Sequence, residues 1–71
     1  MTTRQSIEFI HVGRYAAEVP VELIDEEDGW SPYLSVEEAT KLEAVRLALA
    51  KGDLATAAKH GRLFELLPIS A

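Results

Sequence analysis

Apolar and polar residues alternate through residues 15–24. Val19, Val21 and Leu23 fall on one side of an extended chain, and Glu18, Pro20 and Glu22 on the other. That period of two predicts a strand with one buried face, because a helix would scatter the same residues around a cylinder. Residues 7–12 are rich in β-branched and aromatic side chains and read as a second strand. Gly13-Arg14 lies between the two runs, and a glycine at the first central position suits a type II′ hairpin turn. The spacing therefore predicts a hairpin over residues 7–24. Pro20 has no N–H to give to a ladder, so the second strand is expected to be an edge there, or to turn the proline nitrogen outward. Pro20, Glu18 and Glu22 are then read as guards against further strand pairing.

Beyond the hairpin the period changes. Asp25-Glu26-Glu27-Asp28 is an acidic run closed by Gly29, and residues 25–34 are assigned to a solvated turn. Ser35 begins a helix over residues 36–51. Its hydroxyl can accept from the N–H of Glu38, and the Glu38 carboxylate can reach back to the N–H of Ser35, as in a capping box. Glu37 and Glu38 also place negative charge in the first turn, where the helix dipole favours it. Two apolar sides result at about 100° per residue: Leu42, Val45 and Leu49 on one, Val36, Leu47 and Ala50 on the other. One side is expected on the sheet, the other on a second helix or a second chain. Gly52 fits a left-handed helix end and Asp53 an N-cap, so a second helix follows over residues 54–60, closed by Gly61. Residues 62–67 fit either a helical continuation or a strand. A strand is chosen because two strands alone are marginal in water. The fold class expected is α+β, in the order ββααβ, with an antiparallel sheet packed on helices in one domain.

Size sharpens this picture. A chain of 71 residues buries only about 60% of its unfolded surface. It has no cysteine, hence no disulfide or thiolate ligand, yet 48% of its residues are hydrophobic. A protein partner or a homodimer is the expected way to cover that surface. Trp30 and Tyr33 read first as a plug at the end of a small core with their polar tips in water, and second as interface anchors; in a dimer the two roles combine. With Leu42, Val45 and Leu49 they form the partner-binding set predicted from sequence. The net charge of −5 opposes binding to phosphate backbones. Arg4, Arg14, Lys41, Arg46, Lys51, Lys59 and Arg62 are scattered, and only the last four have a chance of sharing one side of the helical pair.

Candidate chemistry is sparse. No Cys-x-x-Cys, His-x-x-x-His or His-Glu-x-x-His spacing occurs, so no metal site is predicted. The four glycines are isolated, and no loop would cradle a phosphate. His11 reads as a hydrogen-bonded surface residue near the turn, and His60 as a complement to a helix end. The carboxylates at 25–28 and at Glu37-Glu38 are expected in solvent. No enzyme activity, cofactor or small-molecule substrate is expected. Residues 1–6 lack a following apolar h-region, and no apolar run approaches the roughly 20 residues of a membrane span. A cytoplasmic protein without membrane contact is the expectation.

The run Tyr15-Ala16-Ala17-Glu18-Val19, the Asp28-Gly29 turn, Pro32, then Ser35-Val36-Glu37-Glu38-Ala39 and Ala48-Leu49 resembles antitoxins of the HicB type. There a strand, a glycine turn and a Ser-x-Glu-Glu-Ala helix follow in the same order. The chain departs from that family in lacking its Gly-Cys segment before the helix, and no separate DNA-binding region is expected. The segments 29–35 (Gly-Trp-Ser-Pro-Tyr-Leu-Ser) and 52–54 (Gly-Asp-Leu) also resemble those of small uncharacterised bacterial proteins, similar in size to antitoxins encoded beside a toxin. The resemblance implies an acidic protein-binding domain that masks a partner protein, probed here through Trp30, Tyr33 and the outer side of helix 36–51. The alternative is a self-associating structural or regulatory subunit without catalysis.

Overall fold

A computed structural model describes residues 2–26, 29 and 31–69. It contains an antiparallel four-stranded sheet and two helices, an α+β arrangement. The elements are β1 (Thr2–Val12), β2 (Tyr15–Asp25), β3 (Tyr33–Leu34), α1 (Val36–Lys51), α2 (Leu54–Ala58) and β4 (Arg62–Glu65). β2 lies in the middle. β1 pairs along its whole length on one side, while β3 and β4 share the other side, opposite Leu23–Ile24 and Tyr15–Glu18 respectively.

The hairpin turn follows from one residue. Gly13 adopts φ 60°, whereas Arg14 has a negative φ. A type I′ turn needs positive φ at both positions, so the pair fits type II′. The strands run beyond the expected 7–24. Thr2–Ser6 carries no apolar alternation, yet it pairs with β2 as far as Thr2 opposite Asp25. Side chains hold this end: Arg4 Nε donates to Asp25 Oδ2 at 2.7 Å, and Gln5 Nε2 to Glu22 Oε1 at 3.1 Å.

Both helices pack on one face of the sheet. Ala17, Val19 and Val21 from β2 meet Val45, Ala48 and Leu49 from α1 and Ala57 from α2, all buried. Ile10, Val12, Tyr15, Leu23, Leu34, Leu42 and Leu63 surround them. Small residues dominate this core, which lets α1 and α2 lie close to the strands. The alternation read in β2 thus becomes the floor of the core, and Leu42, Val45 and Leu49 become its roof.

The helix ends are set locally. The Ser35 hydroxyl accepts from the Glu38 N–H at 3.1 Å. Gly52, at φ 74°, closes α1 by donating to Leu49, while Asp53 N donates to Ala48 O at 2.8 Å. Those two bonds form a Schellman end. Asp53 then caps α2 by accepting from Thr56 N at 3.2 Å. α2 is shorter than the expected 54–60. Lys59 and His60 turn out of it through bonds to the carbonyls of Thr56 and Ala57 at 3.2 and 3.1 Å, because Gly61 must reach the sheet. A Cβ on Gly61 would overlap the carbonyl oxygen of Glu18 and stand 3.0 Å from its carbon and 3.1 Å from Val19 Cα. Glycine is required there by close backbone approach, not by positive φ.

Two further boundaries differ from expectation. The segment 25–34 was expected as turn throughout, but it contains β3, a two-residue strand too short to show a period. The last strand spans 62–65 rather than 62–67. One more main-chain bond, Leu66 N to Arg14 O at 2.6 Å, extends beyond it before Pro68.

Candidate functional site

The outer side of β2 has a gap between β3 and β4, at Val19–Glu22. Pro20 sits in this gap, with no N–H to leave unpaired. Its carbonyl accepts from Lys41 Nζ at 2.9 Å. The neighbouring Glu22 N–H donates to Glu38 Oε2 at 2.6 Å. Two side chains of α1 therefore replace a missing strand. This corrects half of the capping-box reading: Glu38 receives the Ser35 cap through its N–H, but its carboxylate is spent on β2 and on Lys41, 3.1 Å away, rather than on the N–H of Ser35. It also refines the reading of Pro20, which lies in the central strand, paired with β1 on one side and facing the gap between β3 and β4 on the other.

The Glu22 N–H, and secondarily Lys41, hold the Glu38 carboxyl below its ordinary value. A lowered carboxylate contributes stability that is complete above its unfolded value, near ~4.3, and is lost as pH falls through the folded one. Glu38→Gln is accordingly expected to lower the urea midpoint at pH 7 and to converge on the native protein in acid. Midpoints measured at neutral pH and at successively lower pH check this. Parallel curves would mean that the carboxylate charge is not what holds the gap closed.

The other face of the sheet is uncovered. Register places Phe9, Glu18 and Arg62 in one row across the strands, and His11, Ala16 and Phe64 in the next. Ile7 and Pro20 form a third row, and Thr3, Ile24 and Tyr33 a further one. Phe9 is 70% exposed, Ile7 52%, Tyr33 45% and Phe64 38%. Antiparallel sheets with one solvated face normally turn polar residues to it, whereas this one turns Ile7, Phe9, Tyr33 and Phe64 to it beside Gln5, Glu18, Glu22 and Arg62. Glu18 among them is paired with a cation, whereas Glu22 meets only the neutral Gln5 amide. Arg62 stands 3.8 Å from Glu18 and 5.5 Å from the Phe64 ring centre. The Tyr33 hydroxyl donates to Glu26 Oε1 at 2.8 Å. His11 bonds Gly13 O at 2.8 Å, so it is engaged with its own turn.

The sequence-predicted set divides. Trp30 lies outside the described residues. Tyr33 is on the uncovered face. Val45 and Leu49 are 0% and 2% exposed, and the half-buried Leu42 packs against the same core, so the burial expected for these three at an interface is taken largely by the sheet. The second apolar side of α1 is the outward one, with Val36 80% and Leu47 45% exposed. Ile7, Phe9 and Phe64 were missed. The signal was present in β1, where Ile7 and Phe9 fall on one parity and Ile10 and Val12 on the other, so both sides of that strand are apolar.

Among the described residues, no group of His, Asp or Glu is placed to hold a metal ion. No helix is long and apolar enough to cross a membrane. Comparison with protein-family models, curated proteins and solved structures finds no match.

Proposed function

We propose that the chain is a protein-binding domain without catalytic activity, of the antitoxin sort, which masks a small basic partner protein with the uncovered face of its sheet. The observation that carries this reading is the exposure of Ile7, Phe9 and Phe64 on the one face of the sheet that no helix covers. Large apolar side chains gathered on one exposed sheet face are a mark of interaction surfaces. The net charge of −5 favours encounter with a basic partner, and the Ser-x-Glu-Glu-Ala resemblance points to the same class.

The tagged chain is expected to capture from its host one small basic protein at fixed stoichiometry, resolved by mass spectrometry and sizing. Phe9→Ser, which removes exposed surface only, is expected to release that protein while leaving the circular dichroism unchanged. A folded Phe9→Ser protein that retains the same partner at the same stoichiometry would exclude the uncovered face as the contact.

A further inference from the structure

The two long edges of this sheet are finished differently. On the β2 side the gap is closed by Pro20, Glu38 and Lys41. On the β1 side nothing comparable occurs. The Glu22 N–H points away from β1, so Glu22 and its partner Gln5 form a pair that exchanges no main-chain bonds. By alternation the main-chain groups of Thr3, Gln5, Ile7 and Phe9 also point outward. Among the described residues no main-chain bond reaches them. The strand has neither proline nor bulge, and natural edges left free are normally blunted by such devices.

We infer that the outer edge of β1 pairs antiparallel with β1 of a second copy of this chain, centred on Ser6, to make one continuous sheet across the dimer. The register follows from charge. Centring on Ser6 sets Arg4 opposite Glu8 of the second copy and Glu8 opposite its Arg4. Both are close pairs without main-chain bonds, the geometry in which opposite charges interact best. Arg4 already touches Asp25, and its guanidinium has further donors for Glu8. Glu8 has no ion pair among the described residues. Centring on Glu8 instead would set the two Glu8 residues against each other. The pairing is independent of the masking reading and leaves Ile7 and Phe9 facing outward in both copies.

The test uses the isolated chain. Ser6→Cys introduces the only thiol, and the paired Cα atoms would lie about 4.5 Å apart, within disulfide reach. Oxidised glutathione is expected to convert Ser6→Cys to a covalent dimer and to leave Thr3→Cys, which faces Phe9 of the second copy, uncrosslinked. Sedimentation equilibrium up to millimolar protein is expected to show a dimer, abolished by Gln5→Pro, whose lost N–H serves no bond within the chain. Arg4→Glu and Glu8→Arg should each weaken the dimer and together restore it. A monomer throughout, or a dimer in which Thr3→Cys crosslinks as readily as Ser6→Cys, would overturn the inference. Because the partner protein is absent, these results stand apart from the fate of the masking proposal.

Discussion

Gly61→Ala is expected to lower the melting temperature by roughly 12–24 °C. Gly61 carries the chain from α2 into β4 against the Glu18 carbonyl, and every atom a Cβ would meet there is backbone. Backbone cannot rotate aside as a side chain does. Relief requires β4 to move off β2, which costs its pairing with Tyr15–Glu18. A cost of about 3 kcal/mol is the upper end for forced overpacking. Total stability for a domain of this length is roughly 4–10 kcal/mol, and each kcal/mol shifts the midpoint by about 4–8 °C. Thermal unfolding followed by circular dichroism measures it. A midpoint within about 4 °C of the native one would show that β4 is not fixed by this approach.

Leu49→Ala has the second large effect. Leu49 is buried between α1 and the strands, in a core otherwise made of valines and alanines. No larger neighbour within that buried set can fill the space left, so the loss should be about 3 kcal/mol, within the usual range for such truncations. Leu47, two residues away on the outward side, is the internal control. Its truncation should cost about 1 kcal/mol or less, as for exposed positions. Urea unfolding of the two variants separates them. Equal losses would mean that α1 is seated with a different side on the sheet.

That contrast shows what the sequence could and could not reveal. Two apolar sides of α1 were legible from spacing alone, but spacing does not say which one the sheet takes. Leu42, Val45 and Leu49 were assigned to a partner, whereas the sheet claims them and leaves Val36 and Leu47 outside. Features set by residues within four positions were readable: the Ser35 hydroxyl on Glu38, the left-handed Gly52, the Asp53 cap and the glycine of the hairpin turn. Features set across the fold were not. Glu38 gives its N–H to the Ser35 cap, yet its carboxylate serves a strand sixteen residues earlier in the chain. Gly61 ends a helix, as expected, but it is glycine because of Glu18. Pro20 could be placed at an unpaired edge, while the fact that α1 side chains close that edge depends on where the helix lands. The uncovered face was hinted at by the two-sided apolar character of β1, and became a site only once both helices proved to lie on the opposite face.

Ile7 and Phe9 are surface residues, proposed as the partner contact, and Val45 and Leu49 are core residues. The most direct test is calorimetric titration of the captured partner into the native chain and into a folded Ile7→Ser, Phe9→Ser variant. Loss of two partly buried contacts at about 1.5–3 kcal/mol for a fully buried side chain predicts an affinity lower by at least about tenfold, with the native fold intact. An affinity equal to that of the native chain would contradict the assignment of the uncovered sheet face as the surface that masks the partner.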